Sequence, residues 1–317
     1  MAPASKRYDV HTHFIPSDVM EWLKTHRHQV NAKWEKRNPN QHPFLSVNDK
    51  WAFELKPTFV EADLFLEKQA EAGVDCSLVS PIPQLFLYEF EPELTAELAK
   101  VYNQSLVRWT RLHPERLLAL ATLPLNDPNR AAAELNRAMN DGLKGAIIAP
   151  GVSGYMLTDE PLTPFWEEAD RLGAIIFIHP LLCEDPRLKR RRMPNLIGVP
   201  WETTLAATDL VLSGHLDKYP HVKIVLAHGG GFLPYQIGRL DKGYQEWPLV
   251  SSALQAPPSA YLKKLWFDSV VWEPKVLTFL EELVGPERIV PGSDYPFDLS
   301  VWPPQWTDQR GIKALLD

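Results

Sequence analysis

Several absences bound the reading. The 317-residue chain has two cysteines, Cys76 and Cys183, too few for a disulfide framework, and a reducing compartment is expected. No apolar run reaches the roughly 18 residues a membrane helix needs. The opening Met-Ala-Pro-Ala-Ser-Lys-Arg has no apolar signal core. The expected location is the cytoplasm. Internal repeats and low-complexity linkers are also missing, which predicts one domain over 1–317. Positive charge is not in excess: 33 Lys and Arg against 40 Asp and Glu give a formal net charge of −7. Nucleic acid is excluded as a main partner, because phosphate binding needs a cationic face.

What is present is a rhythm. Short apolar segments at 6–14, 74–80, 117–123, 145–150, 174–180, 222–231, 265–270 and 288–295 read as strands. Helical patterns separate them, at 58–73, 92–113, 127–139, 161–172, 203–219, 233–244 and 274–284, with Thr58 as a helix cap. A last helix is supplied only by 311–317 and looks cut short. Alternating strands and helices imply parallel βαβ units, and eight of them predict a (β/α)8 TIM barrel. Residues 16–57 are too long for an ordinary βα loop. They read as a small insertion after strand 1, a lid rich in aromatics that folds over one end of the barrel.

In such a barrel the chemistry sits at the C-terminal ends of the strands. His11 and His13 are two apart on the first strand and point to one face. His179 ends the fifth strand, His228 the sixth and Asp294 the eighth. Four of the ten histidines fall in this ring. Each is a weak signal alone, and together they form a metal- or proton-competent set. His113, His215 and His221 fall in or beside helices and read as core or surface residues. The basic run Arg187, Lys189, Arg190, Arg191 and Arg192 reads as a solvated loop, or else as a subunit contact or a place of anion capture.

The motifs His11-Thr12-His13-Phe14-Ile15-Pro16, Ile178-His179-Pro180, Ala227-His228-Gly229-Gly230-Gly231 and Gly292-Ser293-Asp294-Tyr295-Pro296-Phe297 resemble the amidohydrolase superfamily. More closely they resemble its aminocarboxymuconate semialdehyde decarboxylase group, as do Gly198-Val199-Pro200-Trp201-Glu202-Thr203-Thr204 and Gly238-Arg239. The resemblance spans nearly the whole chain. It implies that His11, His13, His179 and Asp294 bind one divalent metal, zinc in the first place and manganese as the alternative. It makes His228 the unliganded acid/base, with Asp294 the other group able to manage a proton. It implies a homodimer in which Arg239 reaches a substrate carboxylate across the interface. Strand four ends in Ala149-Pro150, where many superfamily members carry a carbamylated lysine, so a single metal is expected.

Two departures point to a changed substrate. Relatives carry an Arg directly after the Phe of the insertion; here Phe44 is followed by Leu45. They carry a Trp shortly before the Gly-x-Pro that precedes helix six; here Asn195 and Leu196 stand in that stretch. Leu45, Trp51, Phe53, Phe86 and Trp272 suggest an apolar pocket, with Trp51, Phe297 and Arg239 as substrate contacts. The expected activity is metal-dependent, non-oxidative decarboxylation of a small aromatic or unsaturated acid. The alternatives are hydrolysis of a small amide or lactone on the same site, with hydration as a minor branch, or a barrel without catalysis.

Overall fold

A computed structural model of the chain describes residues 6–317; residues 1–5, part of the segment read for an apolar leader, lie outside it. Eight parallel strands carry the fold: β1 Tyr8–His13, β2 Cys76–Ser80, β3 Leu117–Ala119, β4 Gly145–Ile148, β5 Ile175–Ile178, β6 Lys223–Leu226, β7 Trp266–Asp268 and β8 Ile289–Val290. They pair in sequence order as two sheets, β1-β2-β3 and β4-β5-β6-β7-β8. Ile176 illustrates the register, lying between Ala146 of β4 and Ile224 of β6. Parallel bridges Ala121↔Ala146 and Thr12↔Tyr295 link the sheets at both edges. The backbone bonds Ala121 N to Gly145 O (2.9 Å) and His13 N to Tyr295 O (2.8 Å) belong to these links.

The strands follow from composition. β4, β5 and most of β6 are apolar runs of Ile, Val, Leu and Ala with Gly145 and Phe177, buried along their length, as expected for parallel strands covered on both faces. Each ladder is shorter than its apolar run, because the residues after the last paired one turn off to build loops. His179, His228 and Asp294 stand on those turns.

A helix follows each strand: α1 Ala62–Glu71, α2 Pro92–Leu112, α3 Pro128–Asn140, α4 Thr163–Leu172, α5 Val199–Leu212, α6 Leu233–Glu246, α7 Pro274–Val284 and α8 Gln309–Leu316. Proline opens α2, α3 and α7, where its missing N–H costs nothing. Asp127, Glu273 and Asp308 cap α3, α7 and α8 by accepting backbone N–H groups. Two boundaries differ from the sequence reading. Thr58 falls in a 3-10 turn, Pro57–Phe59, and α1 begins only after Glu61. The expected helix 203–219 breaks at Gly214, which is left-handed at φ 73°. A Cβ there would lie 2.5 Å from the Ala253 carbonyl oxygen, so the chain turns and resumes as the short helix His215–Lys218.

Between β1 and α1 lie a helix, Ser17–Thr25, and an antiparallel sheet of Lys33–Glu35, Phe44–Ser46 and Phe53–Glu54. Its inner side chains, Leu45 and Phe53, are buried. Lys56 fastens the segment to the loop after β8, donating to the Pro296 carbonyl (3.2 Å) and pairing with Asp298 (2.8 Å). No described helix is long and apolar enough to cross a membrane.

Candidate metal centre

The ends of β1, β5, β6 and β8 converge. Asp294 Oδ1 lies 3.2 Å from His11 Nε2, 3.2 Å from His13 Nε2 and 3.9 Å from His179 Nε2. None of these four atoms has a hydrogen-bond partner among the described residues, and all are buried. Buried polar atoms are almost always paired. Four unpaired ligand atoms facing one another are the spacing a cation would fill, since zinc ligands at about 2.0–2.2 Å from the ion sit roughly 3.3–3.6 Å apart in a tetrahedron.

The far side of each ring explains its orientation. His13 Nδ1 donates to the Pro81 carbonyl (3.1 Å) and His179 Nδ1 to the Pro180 carbonyl (2.9 Å). His11 Nδ1 donates to Asp268 Oδ2 (2.6 Å). A carbonyl or carboxylate only accepts, so each Nδ1 carries the proton and each Nε2 turns its lone pair inward. His228 is held differently. Its Nδ1 has no hydrogen-bond partner among the described residues, and its Nε2 faces the other Asp294 oxygen, Oδ2, at 3.5 Å. Its ring lies nearly parallel to Trp272, centroids 6.1 Å apart. His11, His179, His228 and Asp294 also each offer one ligand atom within 4.8 Å of the others. The residues present thus fit one divalent ion.

The electrostatics agree. Burial alone would lower the pKa of His11, but the carboxylates of Asp294 and Asp268 on either side outweigh it and raise it to about 10. Burial likewise opposes the Asp294 anion, yet the facing histidines hold it well below the carboxylate range. The centre attracts positive charge, and a bound divalent ion would displace the proton His11 otherwise holds. Burial pushes His179 down to about 3, leaving a neutral imidazole, the form that ligates.

Two carboxylates that the sequence reading passed over organise the centre. Asp268, at the end of β7, accepts from His11 and also from the backbone N–H of His228 (3.0 Å), Gly229 (2.9 Å) and Val270 (3.1 Å). Asp9 accepts from the Ser293 hydroxyl (2.6 Å) and backbone (3.1 Å) and from the His11 backbone (3.2 Å). It fixes the loop that presents Asp294, and burial raises its pKa to about 7. Both are fully buried. Burial was the missing signal, since either reads in sequence as an ordinary acid near a strand. Backbone strain marks the site as well: His228 and Asp294 have φ of 54° and 61°, a region non-glycine residues rarely enter. The glycines after His228 continue that turn. A Cβ on Gly230 would meet the Phe267 ring at 2.7 Å, and one on Gly231 the Pro200 carbonyl oxygen at 2.2 Å.

A cavity of about 790 Å³ opens above this ring, and His179, His228 and Asp294 line it. Trp51, Phe53 and Trp272 contribute walls, as the sequence suggests, and so does Phe297. Phe297 also packs against His13, centroids 5.2 Å apart. Leu45 and Phe86 do not line the cavity; both are buried in the core. Arg239 is exposed on α6 and is not among the lining residues.

Residues 8–315 match the family model described as amidohydrolase, and the chain belongs to that family. It is 30% identical over 300 residues to 2-amino-3-carboxymuconate-6-semialdehyde decarboxylase of Dictyostelium discoideum, covering 93% of this chain and 83% of that one. It is 30% identical over 242 residues to gamma-resorcylate decarboxylase of Rhodococcus jostii, covering 70% and 73%. The fold is shared with 5-carboxyvanillate decarboxylase of Novosphingobium aromaticivorans, solved with manganese, at a TM-score of 0.77 and 20% identity over 93% of this chain and 88% of that chain.

Proposed function

We propose that this chain is a metal-dependent, non-oxidative decarboxylase of a small aromatic or unsaturated carboxylic acid, a carbon–carbon lyase. The observation that carries it is a cation-ready cluster, with His228 beside it, at the floor of an aromatic-walled cavity. His11, His13, His179 and Asp294 Oδ1 hold the ion in this reading, zinc first and manganese as the alternative. Anchored Nδ1 atoms support His13 over His228 as the third nitrogen ligand. A bound divalent ion supplies Lewis acidity toward a substrate oxygen.

The chain's own groups do the rest. Aromatic walls take the ring out of water and turn its carboxylate-bearing carbon toward His228. As the bond to the carboxylate breaks, its electron pair stays on that carbon, CO2 leaves, and a proton is delivered there. In this reading His228 Nε2 carries that proton, with Asp294 Oδ2 at 3.5 Å as the other group able to deliver it.

The two edge bridges support a closed (β/α)8 barrel in one domain, with 16–57 as its lid. A homodimer is supported by Trp201 and Leu205 on α5 and by Phe232 and Tyr235 at the start of α6, all exposed. Arg239 stands one helical turn past Tyr235 and is likewise exposed, and in this reading it serves a partner's cavity. Unpaired cysteines suit the cytoplasm. The test is a panel of hydroxybenzoates, with small amides and lactones beside them, incubated without oxidant. The reading expects CO2 and a product with hydrogen in place of the carboxyl group. Cleavage of an amide or lactone with water incorporated and no CO2 would overturn it in favour of a hydrolase.

A further inference from the structure

Of the five basic residues between 187 and 192, one lines the cavity. Arg187 is taken up by Asp185, with Nε to Oδ1 at 3.0 Å. Lys189, Arg190, Arg191 and Arg192 are all exposed, and the first three do not line the cavity. Arg192 does line it, and no other Lys or Arg does among the described residues. Its guanidinium has no ion pair or hydrogen bond among those residues. The acids at the rim are already engaged: Asp298 pairs with Lys56 (2.8 Å), and Glu54 accepts from the His42 backbone (3.1 Å).

The backbone at this point is built for placement. Arg191 and Arg192 both adopt positive φ, 51° and 59°, which costs energy in consecutive non-glycine residues. The Arg192 carbonyl accepts from Asn195 N (3.0 Å) and Leu196 N (2.9 Å). These bonds tie it to the π-helical turn Pro194–Gly198, an uncommon turn found often at functional sites. Asn195 lines the cavity beside it.

We infer that Arg192 is the specificity-determining residue of the cavity, gripping an anionic oxygen of the substrate other than those of the carboxylate that is lost. The preferred substrate class is then an aromatic acid with a second carboxylate or comparable anionic group. One carboxyl group goes to the metal centre and is lost; the other stays on the product, held by the guanidinium. A planar fork of N–H donors suits a carboxylate, and aromatic walls such as Trp51, Phe53 and Trp272 suit the ring between. This inference rests on the reading of the cavity as an aromatic-acid site.

The test uses the metal-loaded protein and reads binding by calorimetry, with CO2 release followed separately. The probes are 4-hydroxyisophthalate and salicylate, which differ by one carboxylate. The wild type is expected to bind the dicarboxylate at least 10-fold more tightly. Arg192→Gln loses that preference by roughly 10- to 100-fold while its salicylate affinity and melting temperature hold, as expected for a charge-assisted hydrogen bond. Arg192→Lys recovers part of it, and Arg191→Gln keeps it, which separates a direct grip from the general field of the basic run. Equal binding of both acids by the wild type, binding of neither, or an unchanged preference in Arg192→Gln would overturn the inference. Absence of CO2 release with the preference intact would count against the decarboxylase reading alone.

Discussion

One carboxylate serves two halves of the centre. Asp268 Oδ2 lies 2.6 Å from His11 Nδ1, and the same oxygen accepts the backbone N–H of His228 at 3.0 Å. Asp268 therefore sets the tautomer of His11 and the position of His228 together. Asp268→Asn keeps the size and loses the charge. Its amide can turn a donor toward His11, which favours the tautomer with the proton on Nε2 and spoils that nitrogen as a ligand. Metal affinity is expected to fall about 10- to 100-fold, with the fold retained. Titration calorimetry of the stripped protein measures it, and an unchanged affinity would show that Asp268 does not act through His11.

His228 and His179 are expected to separate under mutation. His228→Ala retains the metal and loses about 10²- to 10⁴-fold in turnover, the range for a general acid/base. His179→Ala or Asp294→Ala loses the metal itself. Elemental analysis beside turnover decides, and a joint fall in His228→Ala would place His228 among the ligands.

Much of this centre was legible in sequence, for a physical reason. The alternation of a strand puts His11 and His13 on one side, and their ring centroids lie 5.1 Å apart. Strand ends in a parallel α/β fold share one face, so His179, His228 and Asp294 could be placed without coordinates. Asp268 could not. Its partners His228 and His11 are 40 and 257 positions away, and nothing local distinguishes it from a surface acid. Leu45 misled for a similar reason, because strand pairing within the small antiparallel sheet decides which side is inner and turns it into the core. The basic run was visible as charge, but only the left-handed turn at Arg191 and Arg192 selects the one side chain that lines the cavity. The metal identity and the substrate depend on small differences in ligand and wall geometry that no local pattern encodes.

His215 supplies a pH dependence away from the centre. It is buried against Trp166 and Tyr219, ring centroids 4.6 Å away in each case. Burial, with Lys218 nearby, lowers its pKa from 6.5 to about 4. Between those values the unfolded chain binds a proton that the folded chain does not, so stability rises with pH there. Its contribution is complete above about pH 6.5 and is lost as pH falls toward 4, by up to about 3 kcal/mol. Melting curves at pH 7.5 and 4.5 should show a smaller acid loss in His215→Phe than in the wild type. Equal losses would remove His215 as a cause.

The exposed aromatic face on α5 and α6 predicts a dimer. Tyr235→Glu puts a charge on a side chain that is 81% exposed in the single chain. Little loss of fold stability is expected, while light scattering should shift from two chains toward one. Arg239→Ala should lower turnover with metal content unchanged. A monomeric wild type with full activity would contradict both.

The central claim is tested most directly by metal removal. The protein is stripped with a chelator and reloaded with zinc or manganese, and CO2 release from its best hydroxybenzoate is followed against ions bound per chain. The account predicts no release from the stripped protein and full recovery at one ion per chain. Undiminished CO2 release from the metal-free protein would contradict it.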